Sequence, residues 1–338
     1  MNHSAEGSSL EEMAQEEVDG VTAAACVILG LSFLIGAPGN LLVIWTILRH
    51  VKQRSHTVVL ILHLAIADLL AVITLPLWIY TLAKSWEFGG AFCKVLVYII
   101  KVCMFSSIFF ITLMSVERFL AICHPFGWMR WKTKSAMKKC LIVLWLLAFV
   151  LGLPVVVTQP LNGDQCFSIE FSSVGTAIII LCLDTLGGFI VPFVILIICY
   201  CRVAATLKKM SFNSKQKSVI LVHAVVIAFT LCWLPYHIIN ITDFVCILGS
   251  GIDHNCVSES IVYVAGALCF ISSSVNPVLY AFFARNIQGS LGESRLVRLF
   301  QEIVTNSDKL RDVEVQQQSG QRAANTQEEI VSDCVETP

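Results

Sequence analysis

"VLVYIIKVCMFSSIFFITLMSVERFLAIC", residues 95–123, carries one charge, Lys101, before it reaches Glu117 and Arg118 near its end. A helix that crosses a bilayer needs about 20 predominantly apolar residues, and this block exceeds that length. A cation in such a run is costly where it faces lipid, by roughly 2.5–3.5 kcal/mol on insertion scales. The block therefore reads as a membrane span whose Lys101 turns toward other helices.

Six further blocks of the same kind surround it. The chain has 338 residues, 56% hydrophobic and only 14% charged, with a mean hydropathy of +0.76. A soluble domain carries nearer a quarter charged residues. The apolar excess falls in blocks at 21–48, 57–83, 95–123, 140–158, 174–201, 218–248 and 260–284. This pattern predicts an all-α fold, a bundle of seven transmembrane helices over 21–285.

Charge sets the expected orientation. Arg49, Lys52 and Arg54 follow the first block, Arg130, Lys132, Lys134, Lys138 and Lys139 follow the third, and Arg202, Lys208, Lys209, Lys215 and Lys217 follow the fifth. The opposite loops offer Lys84 and Lys94, and no Lys or Arg precedes the first block. The positive-inside rule then puts residues 1–20, an acidic segment, outside the cell and the C-terminus in the cytoplasm of a multi-pass plasma-membrane protein. The first block is too long for a signal-peptide core and follows acidic rather than basic residues, so it reads as an uncleaved span. Asn2 opens a glycosylation sequon outside, whereas the Asn240-Ile-Thr242 match lies inside a span, beyond the modifying enzyme's reach.

Most of the fourteen cysteines fall within spans, where Cys acts as a small apolar residue. Cys93 and Cys166 sit near the outer face, where a disulfide is permitted and would tie span three to the long outer loop. Cys246 has two candidate partners, Cys256 and Cys26. Beyond the last span, residues 286–303 gather Ile287, Leu291, Leu296, Leu299 and Phe300 toward one side, which predicts an amphipathic helix on the inner membrane surface. Residues 304–338 are polar and free of aromatics, hence a disordered cytoplasmic tail.

Asn40, Asp68, Ser107, Ser273 and Asn276 are polar residues at membrane depth, each of which alone reads as interhelical glue. Their surroundings are more specific: "GN" at 39–40, "LAIAD" at 64–68, "ERF" at 117–119, Trp145, Pro192 with Tyr200, "CWLP" at 232–235 and "NPVLY" at 276–280. This ordered set, one signature per span, resembles the rhodopsin-like G-protein-coupled receptors over nearly all of residues 20–300. The resemblance implies a sodium ion at Asp68 and Ser107, with Asn40, Ser273 and Asn276 around it, acting as an allosteric modulator. It implies a latch of Glu117 and Arg118 that opens so that Arg118 meets Tyr200 and the G protein. Glu117 stands where the family has Asp, and Phe119 where it has Tyr. Phe229, Trp233, Ile108 and Pro192 match a packed relay below the ligand pocket, while Pro235, Pro277 and Tyr280 belong to the bends that rearrange. No other cofactor is implied.

Depth brings three ionisable groups together. At about 1.5 Å per residue, Lys101 lies roughly 12 Å below the outer end of its span and Asp184 roughly 15 Å below the end of span five, with His237 at a similar level. A Lys101–Asp184 pair there neutralises both charges. The pair reads equally as a structural pin or as the wall of a pocket for an anionic ligand.

"LPYHIIN" at 234–240, "SSSVNPVLY" at 272–280 and Asp184 shortly before "GFIVPF", together with Tyr98, Met104 and "ITLMS" at 111–115, look like the leukotriene B4 receptors and their chemoattractant relatives. The likeness implies a hydroxylated fatty acid as agonist, with His237 and Asn240 near its hydroxyls and Tyr98, Lys101, Met104 and Asp184 beside them. It also implies an inhibitory-type heterotrimeric G protein, with arrestin and receptor kinases as further partners, and no nucleic acid. Gln159 and Val262 depart from it, standing where a basic anchor is expected. A peptide chemoattractant receptor is the competing expectation, with Glu170, Asp253 and Glu259 meeting a basic ligand. Internal repeats that mark many transporters are not evident. No enzyme is expected, since Asp68 and Asp184 lie at different depths and His223 faces no nucleophile. A channel needs symmetry that one chain does not display.

Overall fold

The computed structural model of the chain describes residues 3–52, 55–84, 86–124, 133–158, 166, 171–209, 216–251, 257–285 and 295–305. Among the described residues there is helix and no strand. Seven helical stretches are long and apolar enough to cross a membrane: Gly20–His50, His56–Ala83, Gly90–Cys123, Ser135–Thr158, Val174–Thr206, His223–Ser250 and Ser260–Phe282. Each matches one of the seven expected blocks to within a turn or two, and they are called spans one to seven below. Span one continues a helix that begins at His3 and runs through the acidic segment.

The polarity of the bundle is inverted relative to a soluble protein. Leu34, Val157 and Leu231 are 67%, 73% and 65% exposed on its outside, while Asn40 and Asp68 are 0% and 1% exposed within. Buried backbone polar groups in lipid must be satisfied internally, and helices do this. Span three runs through the middle, packing on spans two, four, five and six, and span one closes the bundle against span seven.

Local sequence sets the ends and bends. Ser55, Thr133 and Ser173 cap their helices by accepting from the backbone N–H of Val58, Ala136 and Thr176. Gly89 precedes span three at φ +79°, a conformation that suits glycine. Span two breaks between Val72 and Leu75, just before Pro76, and the Thr74 hydroxyl donates to the Ala71 carbonyl at 2.7 Å. Pro235 and Pro277 lie inside the helices of spans six and seven. In span five, Leu186–Ile190 ("LGGFI") forms one turn of π-helix.

The "GN" of span one has a plain physical reason. A Cβ on Gly39 would stand 2.7 Å from the Pro277 Cβ, so glycine lets spans one and seven approach. Asn40 then donates across the contact to the Ser273 carbonyl at 2.9 Å and to its own Gly36 carbonyl at 3.0 Å.

Cys93 and Cys166 form a disulfide with Cα atoms 5.6 Å apart, tying the start of span three to the segment after span four. Cys246 is also disulfide-bonded, and Cys26 is a free thiol, which removes it as the partner. Cys256, the other candidate, lies outside the described residues, as do Asn2, Gln159, residues 286–294 and the tail from 306. The helix expected over 286–303 is described over 295–305. Leu299, Phe300 and Ile303 in it are buried in the same apolar cluster as Ile47, Val51 and Tyr280. These apolar side chains seat the helix against the bundle at that end.

Candidate functional site

Three layers of buried polar groups run down the bundle between the disulfide end and the Arg118 end. Nearest the disulfide, Lys101 Nζ donates to both carboxylate oxygens of Asp184 at 3.0 Å and to the Tyr236 hydroxyl at 2.8 Å. The Tyr236 hydroxyl donates to Asp184 Oδ2 at 2.8 Å, and Asn240 Nδ2 donates to the same oxygen at 3.0 Å. Lys101 Nζ also stands 5.0 Å from the centre of the Tyr236 ring. All three ammonium protons are thus used, and the carboxylate accepts from three side chains. The side chains of Lys101 and Asp184 are 20% and 16% exposed.

Helical geometry explains who joins this network. Tyr236 and Asn240 are four residues apart on one face of span six and meet Asp184 together. His237, one residue along, points elsewhere. It is 1% exposed, its ring stacks on Phe189 at 4.7 Å and on Trp233 at 5.9 Å, and neither ring nitrogen has a hydrogen-bond partner.

His237 instead lines a narrow cavity with Lys101, Asp184, Met104, Phe105 and Trp233, floored by Ile108 and Phe229. The π-turn brings Gly188 to its wall, where a Cβ would meet the Phe105 ring at 3.2 Å. Such turns are frequent at functional sites. Of the six ligand candidates, four line this cavity and Asn240 reaches it through Asp184. Tyr98 does not, since its hydroxyl donates to the Phe149 carbonyl of span four at 3.1 Å.

The middle layer centres on Asp68. Ser107 donates to one carboxylate oxygen at 2.9 Å and Asn276 to the other at 2.7 Å. Asn40 Oδ1 is buried without a partner. The converging groups are oxygen-rich and uncharged apart from Asp68, which suits a small hard cation. No cluster of His, Cys and acidic residues able to hold a metal exists among the described residues. Below the cavity, Trp233 donates to the Ser272 hydroxyl at 3.1 Å and stacks on Phe229 at 5.3 Å.

At the far end Thr57 of span two bridges Glu117 and Arg118. Its hydroxyl donates to Glu117 at 2.7 Å and accepts from the Arg118 guanidinium. Both charged residues are buried, at 4% and 5% exposure. Tyr200 lies edge-on to His223 of span six, ring centres 4.6 Å apart. The buried Tyr280 ring meets Phe300 at 6.2 Å, and its hydroxyl has no partner. Arg118, Tyr200 and Tyr280 are each held by a different element.

Tyr236, Thr57 and His223 are the partners that sequence reasoning missed. For Tyr236 a signal existed, its i, i+4 spacing to Asn240. For Thr57 and His223 none did, because helix rotation decides which side chains meet.

Comparison with known proteins agrees with this arrangement. A sequence profile for the 7 transmembrane receptor (rhodopsin family) matches residues 39–280. Human leukotriene B4 receptor 1 is 32% identical over 84% of this chain and 83% of its own length. Human leukotriene B4 receptor 2 is 33% identical over 80% of this chain and 78% of its own. Mouse C-X-C chemokine receptor type 2 is 31% identical over 79% and 77%. This seven-span membrane protein belongs to the rhodopsin family of G-protein-coupled receptors; it is a receptor and not an enzyme, and its partners are an extracellular ligand and a G protein.

Proposed function

We propose that the chain is the receptor for an extracellular lipid mediator, leukotriene B4 or a related hydroxy fatty acid, and signals in chemotaxis and inflammation through an inhibitory-type G protein. The observation that carries this reading is a cation, Lys101, beside Asp184 and His237 in the wall of a cavity whose remaining lining is apolar. A fatty acid offers such a site a second carboxylate for Lys101 and an apolar chain for the remaining wall. The unpartnered nitrogens of His237 suit a hydroxyl on that chain. Lys101 and Asp184 satisfy each other while the site is empty, and a carboxylate competes with Asp184 for the ammonium.

In this reading the disulfide end faces outward, residues 1–20 are extracellular and the tail is cytoplasmic, as the basic loops favour. Asn2 carries a glycan. Arrestin and receptor kinases act on the cytoplasmic face. Sodium binds at Asp68 with Ser107, Ser273 and Asn276, the partnerless Asn40 oxygen beside it. Sodium steadies the resting arrangement, so rising sodium weakens an agonist that prefers the active one.

The test is activation of inhibitory-type G proteins in cells bearing this chain, by hydroxy-eicosanoids and by their methyl esters. The acid should act at far lower concentration than the ester, which lacks the charge that Lys101 meets. Equal potency would sink the Lys101 anchor. The likeness to a chemokine receptor favours a second reading, a peptide chemoattractant receptor. Response to chemotactic peptides and to no lipid would establish that reading instead.

A further inference from the structure

Span six is fastened to span five very differently along its length. Near the disulfide end, Ala177 and Leu181 of span five bury with Phe244 and Ile247 of span six. Asp184 adds hydrogen bonds to Tyr236 and Asn240. Beyond Pro235, among the described residues, the part of span five from Val191 to Lys209 packs mainly on span three and far less on span six. A proline inside a helix removes a backbone hydrogen bond and is a natural place to bend. So, among the described residues, span six is fastened to span five chiefly above its proline.

The Tyr200–His223 ring contact lies below that proline. Tyr200 is 45% exposed, so the surrounding bundle does little to fix it. His223 is half-buried near the start of span six. When two elements share few contacts, one aromatic pair has leverage over their separation. An edge-to-face pair biases a two-state equilibrium by roughly two- to ten-fold.

We infer that His223 is a catch: its ring holds Tyr200 and keeps the Arg118 ends of spans five and six together, and so sets the resting activity of the receptor. His223 is a positioning residue here. It acts through the tyrosine that it holds. The inference rests on the family's coupling to a G protein, but not on the identity of the ligand.

The test compares His223→Ala, His223→Leu and His223→Phe in the full-length chain at matched surface expression. Without agonist, nucleotide exchange is read on a panel of G proteins of all classes. His223→Ala and His223→Leu should raise basal exchange about three- to ten-fold. His223→Phe keeps a ring edge at Tyr200 and should stay near wild type. Leucine fills most of the imidazole's space, so it keeps the test open if the alanine variant folds poorly.

Hydrogen–deuterium exchange of the purified receptor reads the same contact without any G protein. Amides at the Arg118 ends of spans five and six should exchange faster in the leucine variant, and not in the phenylalanine variant. The disulfide end should be unaffected. Unchanged exchange in His223→Leu, or His223→Phe as open as His223→Leu, would overturn the catch whatever the coupling assay shows. A wild type that activates no G protein would count against the coupling reading alone.

Discussion

Lys101 and Asp68 are both ionisable residues inside a membrane bundle, and the surroundings treat their charges in opposite ways. Lys101 meets a counter-charge, and Asp184 takes two hydrogen bonds from it and two from neutral donors. Asp68 accepts from a hydroxyl and an amide, those of Ser107 and Asn276. The first site is balanced by the protein itself; the second is complete in hydrogen bonds but not in charge. The difference teaches where each site can be acted on. A ligand at Lys101 must compete with a bond already made, whereas a cation at Asp68 displaces nothing charged.

The largest expected effect comes from breaking the balanced site. Lys101→Met leaves Asp184 buried beside neutral groups, and removing one partner of a buried pair costs about 3–5 kcal/mol. The variant should express poorly or melt well below wild type. Lys101→Met combined with Asp184→Asn removes both charges while an amide oxygen still accepts from Tyr236 and Asn240. That double variant should regain most of the lost thermal stability. If it is no more stable than Lys101→Met alone, the pair is not what holds spans three and five together here. In the recovered double variant an acidic agonist should bind more weakly by roughly 2–5 kcal/mol, read by competition binding, with its methyl ester little changed.

A smaller effect separates a pair from a network. The Tyr236 hydroxyl accepts from Lys101 and donates to Asp184. Tyr236→Phe deletes both hydrogen bonds but keeps the ring beside the ammonium. Hydrogen bonds to charged groups are worth about 1.5–3 kcal/mol each, and the Lys101–Asp184 contact that remains offsets part of the loss. A drop in stability of about 1–2 kcal/mol is the expected reading in thermal unfolding. No drop would mean that Lys101 and Asp184 suffice alone.

How far the sequence foretold these sites follows from what each depends on. The seven spans were legible because the bilayer imposes a length on every crossing, and the charges between blocks marked their ends. The Lys101–Asp184 contact was legible because depth can be counted in residues and because two opposite charges have few other ways to be satisfied. Which neutral neighbours join them was not. That choice depends on the rotation of each helix about its axis, set by packing such as Gly39 against Pro277 and the π-turn at Leu186–Ile190. Tyr98 shows the limit. It lies three residues before Lys101 in span three, yet its hydroxyl turns to span four. The helix at 295–305 shows another, since its apolar face does not name Tyr280 as the side chain that Phe300 meets.

The smallest expected effect tests the unbalanced site and completes the comparison. Asp68→Asn keeps the shape of the side chain and its capacity to accept from Ser107 and Asn276, so stability in sodium-free medium should change little. What it removes is the charge that a cation would meet. A ligand that binds only the folded state adds RT ln(1 + [L]/Kd), about 1.4 kcal/mol at ten times Kd. Wild type should therefore melt higher in sodium chloride than in choline chloride at equal ionic strength, and Asp68→Asn should melt alike in both. Agonist affinity should follow the same division, falling with sodium in wild type and flat in the variant. Lys101→Met with Asp184→Asn should retain the sodium effect, because it leaves Asp68 and its partners untouched. A wild type indifferent to the choice of cation would mean that Asp68 is neutralised by a proton instead, and the two buried charges would then differ only in which partner cancels them.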